Sequence, residues 1–170
     1  TENSAIHNPD FYGTTKFLGE KLVQTFSEKV TTIAIRLPGI VGPNLPAGRP
    51  WLHTIAKKLQ LGEDVEYYNP KSLFNNICDL WTISDFITHL STRTNLQRCS
   101  TVNLAASEPI QLHRVIDLMR ERLNSSSKIT KQKTNKTSFT IETGIVENEY
   151  DYLPATTTEM ATRFVDDSFF

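Results

Sequence analysis

Cysteine is scarce in this 170-residue chain: Cys78 and Cys99 are the only two, and no CxxC spacing joins them. That spacing supports neither a disulfide framework nor a zinc ribbon. Both thiols lie in hydrophobic-flanked segments, which predicts buried, reduced cysteines and a cytoplasmic location. The four histidines, His7, His53, His89 and His113, show no i,i+4 pair and no cysteine beside them, so no metal site is expected. No apolar run approaches the length of a membrane span, and a membrane partner is not expected. Charge of one sign is missing too. A formal net charge of −1 lacks the basic face that nucleic acid or an anionic bilayer requires.

What is present reads as an ordinary globular chain, with 38% hydrophobic and 22% charged residues. Its length suits one domain, or a larger and a smaller lobe, around a modest core. Charge is uneven along it. Lys128, Lys131, Lys133 and Lys136 form a basic stretch, and residues 137–170 hold seven acids against the single Arg163. Both read as solvated faces.

After Pro9, apolar residues Phe11, Phe17, Leu18, Leu22, Val23 and Phe26 recur at helical spacing and predict a helix over about 11–28. Tyr12 and Lys16 then share another face of it. "TTIAIRL" (31–37) is continuous and β-branched, which predicts a parallel strand buried on both sides. The Gly- and Pro-rich "PGIVGPNLPAGRP" predicts a loop at the carboxyl end of that strand, where α/β sheets bind ligands. Trp51–Leu61 has helical periodicity and stops at Gly62, "VEYYN" reads as a short strand, and "FNNICDL" as another. A helix follows, with Thr82 and Asp85 as candidate caps. "STVNLAA" is a second buried strand, and Ser107-Glu108-Pro109 introduces a helix through Ile110–Leu123. The remaining segment carries weaker signals. Alternating helices and strands indicate an α/β fold.

The chemistry centres on "YGTTK". A phenol with an ordinary pKa near 10 is a poor base at neutral pH, but an ammonium one helical turn away stabilises the phenolate. Such a pair can move a proton to or from a carbinol. The spacing alone is one that any amphipathic helix supplies by chance. Its context is more specific: "PDFYGTTKFLGEKL", with Glu20, followed by "IRLPGIVGP", with Arg36, Gly42 and Pro43. These segments resemble the extended short-chain dehydrogenase/reductase family of nucleotide-sugar epimerases and dehydratases. "FNNICDLWTISDFI" and "TVNLAASEPIQLHRVIDLMRERL" resemble its later strands and helices, so the likeness runs over nearly the whole chain.

The resemblance implies the C-terminal part of a Rossmann-like doubly wound parallel sheet plus a small α/β substrate-binding lobe. Residues 1–50 would end the Rossmann-like domain. Residues 51–170 would be mostly substrate lobe, with a Rossmann strand and helix returning at about 78–106. It further implies NAD or NADP as cofactor, with Tyr12 as acid/base and Lys16 on the nicotinamide ribose. Pro38, Gly39 and Ile40 would lie beside the nicotinamide, and a homodimer would form through the helix containing Tyr12. A complete family member also has a glycine-rich nucleotide loop and a catalytic Ser or Thr in a further N-terminal portion. The seven glycines here form no G-x-x-G-x-x-G. The expectation is therefore a C-terminal half, inactive alone and exposing apolar surface and sheet edges.

A nucleotide sugar is the leading substrate class, with Arg49, Trp51 and Asn75 as candidate contacts. Arg49 would bind phosphate, Trp51 would stack on a ring or anchor packing, and Asn75 would bind substrate or pair with backbone. Three departures from the family pattern bear on that class. Gly39 stands where many members have asparagine, Trp81 and Thr82 stand where aspartates often open the later helix, and Asn75 replaces a diphosphate-binding arginine. Two alternatives stay open: a carbonyl or hydroxysteroid-like reductase of the same fold, and a non-enzymatic structural or interaction module if the chain is complete as given.

Overall fold

The computed structural model describes residues 1–7, 9–44, 50–135 and 137–170. In chain order its elements are α1 (Phe11–Gln24), β1 (Thr32–Arg36), β2 (Gly39–Val41), α2 (Trp51–Leu61), β3 (Val65–Tyr68), β4 (Leu73–Phe74), β5 (Ile77–Asp79), α3 (Leu80–Thr92), β6 (Cys99–Asn103), β7 (Ile110–Gln111), α4 (Leu112–Arg122), β8 (Ile129–Gln132), α5 (Gly144–Asn148) and α6 (Thr157–Phe169). β1 pairs with β6, β2 with β5 and β3 with β8, all parallel, while β4 and β7 pair antiparallel. Parallel neighbours need long crossovers, which the intervening helices supply. The α/β architecture expected from the alternation is the one observed. Among the described residues no helix is long and apolar enough to cross a membrane.

The core collects Leu52 and Leu59 of α2, Phe86 of α3, Ile116 and Met119 of α4, and Met160 and Phe164 of α6, none more than 1% exposed. Burying each such side chain contributes about 1.5–3 kcal/mol. α2 ends as its sequence indicates: Gly62 takes φ 71°, a left-handed cap that glycine adopts without strain. α6 is better built than its polar sequence suggests. Thr156 and Glu159 form a capping box, and Met160, Ala161, Phe164 and Val165 are buried along one stripe.

Several expectations are corrected. β1 is half-buried rather than covered on both faces, with only Thr32 buried, because β6 takes one edge and α1 shields the strand only in part. The segment 39–41 within the expected loop is strand, since Ile40 and Val41 pair with Cys78 and Asp79. "FNNICDL" is two strands, interrupted at Asn75–Asn76 where the Ile77 N–H turns back to the Asn75 carbonyl at 2.8 Å. α3 starts earlier than Thr82, because Asp79 is its cap and accepts from the Thr82 N–H at 2.7 Å. Thr82 and Asp85 lie within the helix. α4 starts at Leu112, because Ile110 and Gln111 are spent pairing with β4. Cys78 is fully buried as expected, whereas Cys99 is exposed.

Candidate active site

Asp10 starts α1, accepting from the Gly13 N–H at 2.7 Å, and so sets the first helical turn under Tyr12. One turn on, the Lys16 ammonium lies 5.1 Å from the centroid of the Tyr12 ring. Tyr12 is 62% exposed, so its phenol is open to a reactant. Tyr12, Lys16, Pro38 and Ile40 all border one groove of about 650 Å³ between α1 and the β1–β2 segment. The structure thus brings four of the five expected catalytic and cofactor-side residues to one depression. The fifth, Gly39, adjoins Pro38 and Ile40 in the chain without lining the groove.

A bidentate ion pair holds this arrangement. Arg36, the last residue of β1, donates from Nε and Nη2 to the two Glu20 carboxylate oxygens, each at 2.9 Å, and from Nη1 to the Glu2 carbonyl at 2.8 Å. The Arg36 hydrogen bond holds the Glu20 carboxyl below its usual value, against the opposing effect of burial. Tyr12, Lys16 and Glu20 are spaced by single helical turns, so anchoring Glu20 on β1 fixes how the pair faces the groove. Sequence reasoning quotes Glu20 and Arg36 as separate motif members and does not pair them. Their opposite charges, one on the helix and one on the following strand, were the available signal.

The substrate-side candidates are dispersed. Trp51 opens α2 and is 45% exposed, its ring edge-on to Phe74 at a centroid distance of 5.7 Å. With Lys58, Tyr67 and Tyr68 it borders a separate cavity of about 500 Å³ between α2 and β3, whose floor is Ile55, Val65 and Leu112. This cavity shares no lining residue with the Tyr12 groove. Gly39 connects the two regions. A Cβ there would lie 3.3 Å from Pro50 Cβ, just before Trp51, and 3.4 Å from the Asn76 carbonyl, leaving little room for a side chain. Asn75 is 1% exposed and bound to backbone throughout: it donates to the Ala106 and Ile141 carbonyls and accepts from the Ile141 N–H. Arg49 lies outside the described residues. Cys78 is an unreactive neighbour, its thiol pushed up to about 12 by burial first and the Asp79 charge second. Among the described residues no group of three or more His, Cys, Asp or Glu could hold a metal ion.

No protein-family model and no curated protein matches the sequence. Solved structures do match in fold. A dTDP-glucose 4,6-dehydratase from Bacillus anthracis in complex with NAD aligns with a TM-score of 0.75 and 13% identity, over 98% of this chain and 54% of its own. RMD from Pseudomonas aeruginosa, complexed with NADPH, aligns with a TM-score of 0.75 and 11% identity, over 98% of this chain and 59% of its own. A UDP-glucose 4-epimerase from Thermotoga maritima with UDP-glucose gives 0.72 and 14%, over 98% and 58%. The chain therefore has the fold of a little more than half of each of these proteins.

Proposed function

We propose that this chain is the catalytic and substrate-binding portion of an NAD(P)-dependent epimerase/dehydratase acting on a nucleotide sugar. The observation that carries the reading is the convergence of Tyr12, Lys16, Pro38 and Ile40 on one groove, which the Glu20–Arg36 ion pair also lines. The NAD, NADPH and UDP-glucose held by proteins of the same fold support it. A nicotinamide would supply the hydride acceptor or donor. Tyr12 moves the coupled proton at the substrate hydroxyl, and the Lys16 ammonium favours the phenolate and binds the nicotinamide ribose. Backbone groups of Pro38 and Ile40 line the nicotinamide side, with Gly39 joining them in the chain, while Arg49 and Trp51 serve the substrate end. Asn75 holds the break between β4 and β5 instead of touching substrate, its polar atoms being committed to the Ala106 and Ile141 backbone. In this reading residues 1–50, with the strand and helix near 78–106, form the dinucleotide side, and most of the remainder forms the substrate side. The exposed apolar residues of α1 suit a homodimer.

Three observations favour a second reading, a carbonyl reductase with an apolar substrate. Gly39 has little room for the family's asparagine, Asn75 has no free donor, and the floor of the α2–β3 cavity is apolar. Tyr12→Phe tests what the two readings share. In a polypeptide that joins a nucleotide-binding portion to this chain, turnover should fall by about 10²–10⁴-fold with nicotinamide affinity nearly unchanged. Unchanged turnover would remove Tyr12 from the mechanism.

A further inference from the structure

Residues 1–7 form no helix or strand, and Glu2 is the one residue among them that is not exposed. Its carboxylate accepts from the Asn103 N–H at 2.9 Å, and its main-chain carbonyl accepts from Arg36 Nη1 at 2.8 Å. Arg36 and Asn103 are register partners at the carboxyl ends of the parallel strands β1 and β6, the end of an α/β sheet where ligands bind. A carboxylate on a backbone N–H makes a charge-assisted bond, stronger than a neutral one.

Three further contacts show what this anchor serves. Arg36 commits its other donors to Glu20 of α1. Ile6, carried by the segment that Glu2 ties down, borders the same groove as Tyr12 and Lys16. On the opposite side, the Asn103 side chain donates to the Glu142 carbonyl at 3.3 Å, next to the Ile141 backbone that Asn75 holds. Glu2 thus stands where α1, a wall of its groove and the 141–142 segment are joined.

We propose that Glu2 is a positioning residue for the Tyr12–Lys16 pair: by clamping Asn103 to Arg36 it sets the stance of α1 against the segment carrying Glu142. This rests on the epimerase/dehydratase reading and adds the residue that aligns its proton-transfer group with its substrate. Misplacing a reacting group by about 1 Å can cost about 10²-fold in rate, so the loss of such an anchor is felt in turnover.

The test uses the polypeptide that joins a nucleotide-binding portion to this chain. It compares Glu2→Ala, which removes the acceptor, with Glu2→Gln, which keeps an amide oxygen for the Asn103 N–H. Expected for Glu2→Ala is a kcat about tenfold lower with the substrate KM nearly unchanged, and Glu2→Gln recovers most of the loss. Tyrosine carbon NMR gives a second readout: the Tyr12 ring signal moves in Glu2→Ala and stays in place in Glu2→Gln. An unchanged kcat in Glu2→Ala, with or without a lowered Tm, would overturn the proposal. A loss that Glu2→Gln fails to recover would also overturn it, since the acceptor would then not be what positions α1. If the wild-type polypeptide turns over no nucleotide sugar, the epimerase/dehydratase reading falls and the part of Glu2 in that reaction falls with it, while the Tyr12 signal still decides whether Glu2 sets the stance of α1.

Discussion

Asn75 shows how much one side chain can hold without touching a ligand. Its amide ties Ala106, 31 residues away, and Ile141, 66 residues away, to the break between β4 and β5. Asn75→Ala would remove three hydrogen bonds and strand buried backbone groups, a loss of about 3 kcal/mol read by urea denaturation. A change under 0.5 kcal/mol, within the range of ordinary surface substitutions, would refute that role. Sequence left Asn75 open between binding substrate and pairing with backbone, because both uses demand the same amide. Its distant partners distinguish them, and nothing local in the sequence points to either. Tyr12 and Lys16 were legible for the opposite reason: their relation is local, one turn apart on a single helix. Cys99 was misjudged as buried: it opens β6 at that strand's exposed end, between the polar Arg98 and Ser100, and the apolar residues begin only at Val102.

At the scale of elements, the link between α1 and β1 is the one the site depends on. Glu20 and Arg36 have side chains 11% and 31% exposed, so their pairing is partly screened and is worth about 1 kcal/mol at pH 7. The sign with pH follows from the lowered Glu20 carboxyl. Its contribution is fully present above the unfolded value near 4.5 and is lost as pH falls through the lower folded value. Glu20→Gln should therefore cost stability at pH 7, and its deficit relative to wild type should shrink progressively below about pH 4.5. A deficit that is constant from pH 7 to strongly acidic solution would mean that packing, not charge, is what was lost. The longer helices were readable because periodicity and stop signals are local: α2 ends at Gly62 as expected. The short strands β2 and β7 were not, and β4 and β5 were read as one strand, since each exists only through a partner elsewhere in the chain. The start of α3 was missed for a related reason. Asp79 caps the helix while still inside β5, and its second oxygen lies 2.9 Å from Arg163 Nε, an ion-pair contact without hydrogen-bond alignment.

At the scale of the whole molecule, the described structure leaves an apolar side uncovered. α1 contributes no buried residue, and Phe11, Leu18, Leu22 and Phe26 are each at least half exposed. β1 is hydrogen-bonded to β6 on one edge and to no other described strand. An open parallel edge beside an apolar helix is a surface that further α/β structure would cover, in keeping with a fold shared with just over half of each solved neighbour. Under the proposed function, labour would divide, with proton transfer and substrate falling to these 170 residues and the grip on the dinucleotide phosphates to other structure. Titration of the 170-residue chain with NADH and NADPH, followed by nicotinamide fluorescence, tests this most directly. The expected result is no saturable binding at micromolar concentrations; saturable micromolar binding would show that these residues hold the dinucleotide unaided and would contradict the division.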